Sequence, residues 1–134
     1  MEEMVRVRVT TVSEEETLHF EGSGNLFRDG RGLHLHYTVR NEDGHTVSAA
    51  LHLGAGRALL TSDGSRLLLD LARPAAAHMG GGIPPLTVAA HRITHEEKNG
   101  SETIRLHYTL SADAQVLRDM RIRVEIEPVR REIP

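Results

Sequence analysis

A chain of 134 residues with 16 basic and 19 acidic side chains, net charge -3, is sized for one domain and offers no bulk attraction to nucleic acid or anionic lipid. It contains no cysteine, which excludes disulfides and thiolate metal sites and makes the reducing cytoplasm the expected location. With no tryptophan and only Phe20, Phe27, Tyr37 and Tyr108 beside nine histidines, the core must be built from Leu, Val, Ile and Ala.

Apolar and polar residues alternate along most of the chain, the two-residue period of a strand with one wet and one dry face. This predicts strands over residues 5–12, 17–27 with a break at Gly22-Ser23-Gly24, 33–40, 46–53, 57–61, 66–71, 86–93, 103–110 and 116–127. Val5, Val7 and Val9 are separated by Arg6 and Arg8, so the first 30 residues hold no apolar run of signal-peptide length, and no later stretch reaches membrane-spanning length. No membrane partner is expected. Turn clusters separate the strands: Arg28-Asp29-Gly30-Arg31-Gly32, Asn41-Glu42-Asp43-Gly44, Ser62-Asp63-Gly64 and Lys98-Asn99-Gly100. Residues 74–85, with Gly80-Gly81-Gly82 and Pro84-Pro85, read as a long mobile loop, and 128–134 as a C-terminal tail. Short connections make sequential strands antiparallel neighbours. The expected fold is all-β: a single domain over 1–134, a closed antiparallel meander barrel of eight to ten strands.

Several segments carry a resemblance that spans nearly the whole chain: the basic strand Val5-Arg6-Val7-Arg8-Val9, the Gly-rich bend leading to Leu33-His34-Leu35-His36-Tyr37, the central Asp63-Gly64 turn and the hairpin strand Ile104-Arg105-Leu106-His107-Tyr108-Thr109-Leu110. In this order the chain resembles the YwiB-like proteins, a bacterial family of unknown function. It departs from their pattern at Ser62, where an arginine is expected, and at Ala77-His78-Met79-Gly80-Gly81-Gly82, which replaces aromatic and threonine residues. The resemblance implies a calycin or lipocalin-like barrel and attaches no reaction to it.

No serine sits in a Gly-x-Ser-x-Gly elbow, and Gly80-Gly81-Gly82 lacks the lysine and helix of a phosphate loop. No catalytic residues and no cofactor are therefore assigned. An eight-stranded barrel is wide enough to be filled by side chains or to hold one small ligand. Phe20, Tyr37, Leu51, Val88, Tyr108 and Ile122 are expected to line that lumen, with the two tyrosine hydroxyls as its polar handles. On the opposite face lie His34, His36 and His52. Keeping the apolar phases together across the turn at residues 41–44 pairs His34 with His52 and leaves His36 diagonal to them, a solvated cluster with a shared metal ion as the alternative. Closure of the barrel is expected to bring Arg6 and Arg8 onto one wall with Arg121 and Arg123 as a basic patch. No exposed aromatic interleaves these arginines, which disfavours nucleic acid. The first functional reading is a non-catalytic barrel binding a small apolar or amphipathic ligand. The second is a structural or protein-interaction barrel acting through its outer surface, for which a homodimer is the candidate assembly. A His-dependent or metal-dependent enzyme is the third.

Overall fold

In a computed structural model that describes residues 2–129, the alternating segments become ten antiparallel strands. They are β1 (Glu2–Val12), β2 (Thr17–Asp29), β3 (Gly32–Arg40), β4 (Thr46–Gly54), β5 (Arg57–Ser62), β6 (Ser65–Asp70), β7 (Ala75–His78), β8 (Leu86–Lys98), β9 (Ser101–Ala112) and β10 (Gln115–Pro128). Each strand pairs with its predecessor and its successor, and β1 pairs with β10, so the meander closes. Closure gives every strand two neighbours, with the ring thinnest at β7, which pairs with β6 over two residues and with β8 over three. One contiguous cluster of Leu, Val, Ile, Ala and the two tyrosines fills the inner face. The pairing His34 to His52 and Tyr37 to Ala49 is the one expected from the apolar phases.

Three expectations are corrected. Gly22-Ser23-Gly24 does not break β2, which runs unbroken from Thr17 to Asp29. Both glycines face inward, where the strand comes close to the backbone of β3. A Cβ on Gly22 would lie 2.0 Å from the Thr38 carbonyl oxygen, and one on Gly24 would lie 2.4 Å from that of His36. Glycine here lets a long strand bend round the barrel. The segment 74–85 is not all loop, because Ala75–His78 forms β7 between β6 and β8. Alanine is a poor strand former, but the two flanking strands supply partners on both sides, and that context overrides propensity. The expected tail at 128–134 begins inside β10, which ends at Pro128, and its residues 130–134 lie outside the described residues.

Tight two-residue turns join several strands. Asp63-Gly64, Asn99-Gly100 and Asp113-Ala114 hold positive φ at both central positions, the geometry that matches strand twist. Ala114 sits at φ 63° without the freedom of glycine. Register shifts of one residue occur at Ala90/Arg92 in β8 and at Val116/Arg118 in β10, both against β9. These bulges shape the outer wall described below.

Charged groups cross one end of the barrel. Glu102 continues the inward phase of β9 and is only 5% exposed, ion-paired to Arg28 of β2 and hydrogen-bonded by Nε2 of His95 of β8 at 2.8 Å. Asp70, also buried, accepts from the Ala72 amide at 2.9 Å and pairs with Arg57 at 3.2 Å. Burial pulls the Glu102 pKa upward, yet the hydrogen bonds from Arg28 and His95 outweigh it and hold the carboxyl below its ordinary value of 4.5.

Gly22→Ala is expected to lower the urea midpoint by the equivalent of about 1–3 kcal/mol, while the outward Ser23→Ala stays within about 0.5 kcal/mol. Relief of the left-handed strain by Ala114→Gly should raise stability by about 1 kcal/mol in the same assay. Because the folded Glu102 carboxyl binds its proton less readily than the unfolded one, its stabilisation is present above the ordinary carboxylate pKa and is lost as pH falls through the depressed one. Glu102→Gln should therefore destabilise the neutral protein by about 1–3 kcal/mol and flatten the acid limb of its stability curve. An unchanged acid limb would count against the network.

Candidate anion-binding groove

Successive residues of a regular strand point to opposite faces, so His91 and Arg92 should be divided between lumen and wall. The bulge in β8 prevents this. Ala90 pairs with Tyr108 on the inner face and Arg92 pairs with His107, leaving His91 as the inserted residue. Both His91 and Arg92 are exposed and line the same groove on the outer wall, about 630 Å³ in volume. Re-aiming a side chain in this way is a common use of a bulge beside a binding site.

Two rows of cross-strand neighbours make up the groove. The first runs Arg92, His107, Arg121, Val12 and Thr17 across β8, β9, β10, β1 and β2. The second runs Thr94, Arg105, Arg123, Thr10 and His19 across the same strands. Neither row contains a carboxylate. Arg105 thus lies directly opposite Arg123, and His107 lies between Arg92 and Arg121. Like charges directly opposed across a sheet are destabilising, whereas opposite charges contribute roughly 0.2–1 kcal/mol.

Carboxylates hold the cations from outside the two rows. Glu96 contacts Arg105 at 3.4 Å, Glu125 contacts Arg123 at 2.8 Å, and Asp119 accepts from His107 Nε2 at 2.7 Å while lying 4.0 Å from Arg121. The arginine pairs lie at the surface and are exchangeable, worth about 0–1 kcal/mol each, while the His107–Asp119 contact is part-buried. The imidazoles are positioned by neighbours: His91 Nε2 lies 3.2 Å from the Thr109 hydroxyl and its ring centroid 4.9 Å from that of His107, and His19 Nδ1 lies 3.4 Å from the Thr10 hydroxyl.

No protein-family model and no curated protein matches the chain. The crystal structure of the ywiB protein from Bacillus subtilis superposes on it with a TM-score of 0.77, covering 96% of this chain and 94% of that one at 16% identity. The barrel has the YwiB fold. At this identity the likeness to YwiB describes the path of the backbone, and the groove has to be read from the side chains of this chain.

On this YwiB-like barrel the four predicted arginines do not form one patch. β1 and β10 are neighbours as expected, but their register sets Arg6 opposite Glu127 and Arg8 opposite Glu125. Arg8 also contacts Glu21 at 3.4 Å. Arg6 and Arg8 line a separate depression of about 310 Å³ with these acids. Only Arg121 and Arg123 enter the groove, joined by Arg92 and Arg105.

The predicted lumen residues all face inward. Tyr37, Leu51, Val88, Tyr108 and Ile122 are buried, and Phe20 packs half-buried against them. Burial pushes both tyrosine hydroxyls up to about 12. His34 and His52 are opposed as expected, but their rings stack at 4.2 Å and 13°. His34 Nε2 contacts Asp29 at 3.2 Å and His52 Nε2 contacts the Arg31 carbonyl at 3.3 Å. Nitrogen lone pairs in nearly parallel planes do not converge on one point about 2 Å from each, as a metal ion requires. His36 pairs with Ala50, diagonal to His52 as expected, and lines a hydroxyl-rich depression with Ser23, Thr38 and Ser48. No group of three His, Cys, Asp or Glu suited to a metal ion occurs among the described residues.

Proposed function

We propose that the chain is a non-catalytic binding barrel of calycin type that takes a small anionic ligand on its outer wall, in the arginine and histidine groove. The observation that carries this is the direct opposition of Arg105 to Arg123 beside the row Arg92, His107 and Arg121. One row further along the same wall, Arg8 faces Glu125 and contacts Glu21, which is the ordinary use of charge on a sheet. Folding gains nothing from the cation-on-cation arrangement. An anion bound between the arginines would remove the repulsion and accept charge-assisted hydrogen bonds from several donors at once.

The apolar lumen ligand is the weaker reading on these grounds. A lumen ligand would have to displace side chains that pack into one continuous core. A ligand on the wall displaces water. No helix among the described residues is long and apolar enough to cross a membrane. The cytoplasm is the proposed location on the strength of the cysteine-free composition.

Thermal melts at constant ionic strength test the site. Replacing chloride by citrate should raise the Tm of the wild-type chain, and the rise should shrink to the general effect of a kosmotropic anion in an Arg105→Gln/Arg123→Gln variant. A ligand at one hundred times its Kd stabilises by about 2.7 kcal/mol, well within the reach of such a melt. An equal rise in both proteins would be a general salt effect and would remove the groove as the site.

A further inference from the structure

The groove has two unlike halves, and its borders are acidic. Its cations come from β8, β9 and β10: Arg92, Arg105, Arg121 and Arg123, with His91 and His107 among them. The part formed by β1 and β2 carries Thr10, Val12, Thr17 and His19 and no charged lysine, arginine or carboxylate. Along the strands in one direction the wall turns acidic at Asp119, whose amide is held by Glu14 Oε1 at 2.7 Å. In the other direction it turns acidic at Glu96, Glu125 and Glu21, the row that contains Arg8.

Spacing sets the size of the anion. Neighbouring strands lie about 4.8 Å apart, and residues two apart on one strand lie roughly 6.7 Å apart. The backbones carrying Arg92 and Arg121 are therefore about 10 Å apart across β9, with the second row about 7 Å away. A single phosphate fills only part of that footprint, whereas two or three phosphates joined in a chain span it and meet each arginine without drawing the side chains together. A long polyanion laid along the strands would meet carboxylates at both borders. A strand of nucleic acid laid across them would find no Phe, Tyr or Trp among the groove residues on which to stack its bases.

We infer that the ligand is a small molecule bearing two or more adjacent phosphates on a neutral, hydroxylated body, an inference that rests on the anion-binding reading above. The phosphate chain lies on β8, β9 and β10 between Arg105, Arg123, Arg92 and Arg121. The body lies on β1 and β2, where the Thr10 and Thr17 hydroxyls and the His19 imidazole offer hydrogen bonds and Val12 offers an apolar contact. Charge and shape together then fix the direction in which the ligand is bound.

Isothermal titration of the full chain with inorganic phosphate, pyrophosphate, tripolyphosphate and a nucleoside triphosphate tests this. Affinity should rise at least tenfold from phosphate to tripolyphosphate, and Arg105→Gln/Arg123→Gln should abolish that gain while its circular dichroism stays unchanged. Thr10→Val/Thr17→Val should weaken the nucleoside triphosphate severalfold and leave tripolyphosphate unaffected, which a loss of fold could not do. Equal affinity for phosphate and tripolyphosphate would overturn the inference and leave the anion-binding reading standing. Binding of none of these anions would overturn both. A single-stranded oligonucleotide bound more tightly than tripolyphosphate would replace the small ligand with a nucleic acid.

Discussion

Closure of the sheet on itself is the constraint from which the rest of this molecule follows. In an open sheet a change of pleat phase can be absorbed at an edge; here every strand shares its phase with two neighbours. Val9 meets Val124 on one side and Phe20 on the other, and the same matching continues round the ring. Inside and outside are thereby set for the whole chain. Phase can reverse only where one strand takes an extra residue, and this happens twice, on the two sides of β9. Before the β8 bulge Val88 and Ala90 face the partners Leu110 and Tyr108; after it Ile93 faces Leu106. Had the strand continued regularly, Arg92 would have pointed into the apolar lumen. The bulge turns it out to stand beside His107.

Strict alternation made much of this legible in the sequence. The inward residues Leu35, Tyr37, Leu51, Leu106, Tyr108 and Val124 follow from period alone, and the short turn at residues 41–44 combined with that period favours the opposition of His34 and His52. Glu102 was readable by extending the even-numbered phase of β9 two residues back from Ile104. Its partners were not, since Arg28 and His95 come from strands whose relative stagger is a property of the closed ring. A bulge has no fixed residue signature, so His91 and Arg92 could not be assigned to one face. β7 escaped for a different reason: three alanines after Pro74 have no strand propensity of their own, and their pairing is imposed by β6 and β8.

The arginines show how far one residue type can be put to opposite uses by register. On β1, Arg6 and Arg8 face Glu127 and Glu125, and the pairs neutralise one another. On β9 and β10, Arg105 and Arg123 face each other. A shift of β10 by two residues in one direction would set Arg105 opposite Glu125, and in the other would set Arg8 opposite Arg123, without altering which side chains point inward, since the pleat repeats every two residues. The apolar core therefore does not dictate the opposition of the arginines. The stagger of β9 against β10 does, and with it the number of residues left for the β10 bulge at Val116/Arg118.

A closed barrel leaves recognition its lumen, its two rims and its wall. Across the middle of the lumen, Leu35, Leu51, Leu69, Ile104 and Leu106 are fully buried. Each such side chain is worth about 1.5–3 kcal/mol in burial, so a ligand that parted several of them would have to replace that contribution atom for atom. One rim is tied by Arg28, Glu102 and His95 together with Asp70 and Arg57. Opening it would leave a buried carboxylate without its cation, a larger penalty than the loss of an exposed pair. The arginines of the groove carry no such penalty, because their ion pairs already face water and exchange partners at little expense. An anion there trades weak carboxylate contacts and like-charge repulsion for several guanidinium bonds at once, and the barrel need not move to receive it.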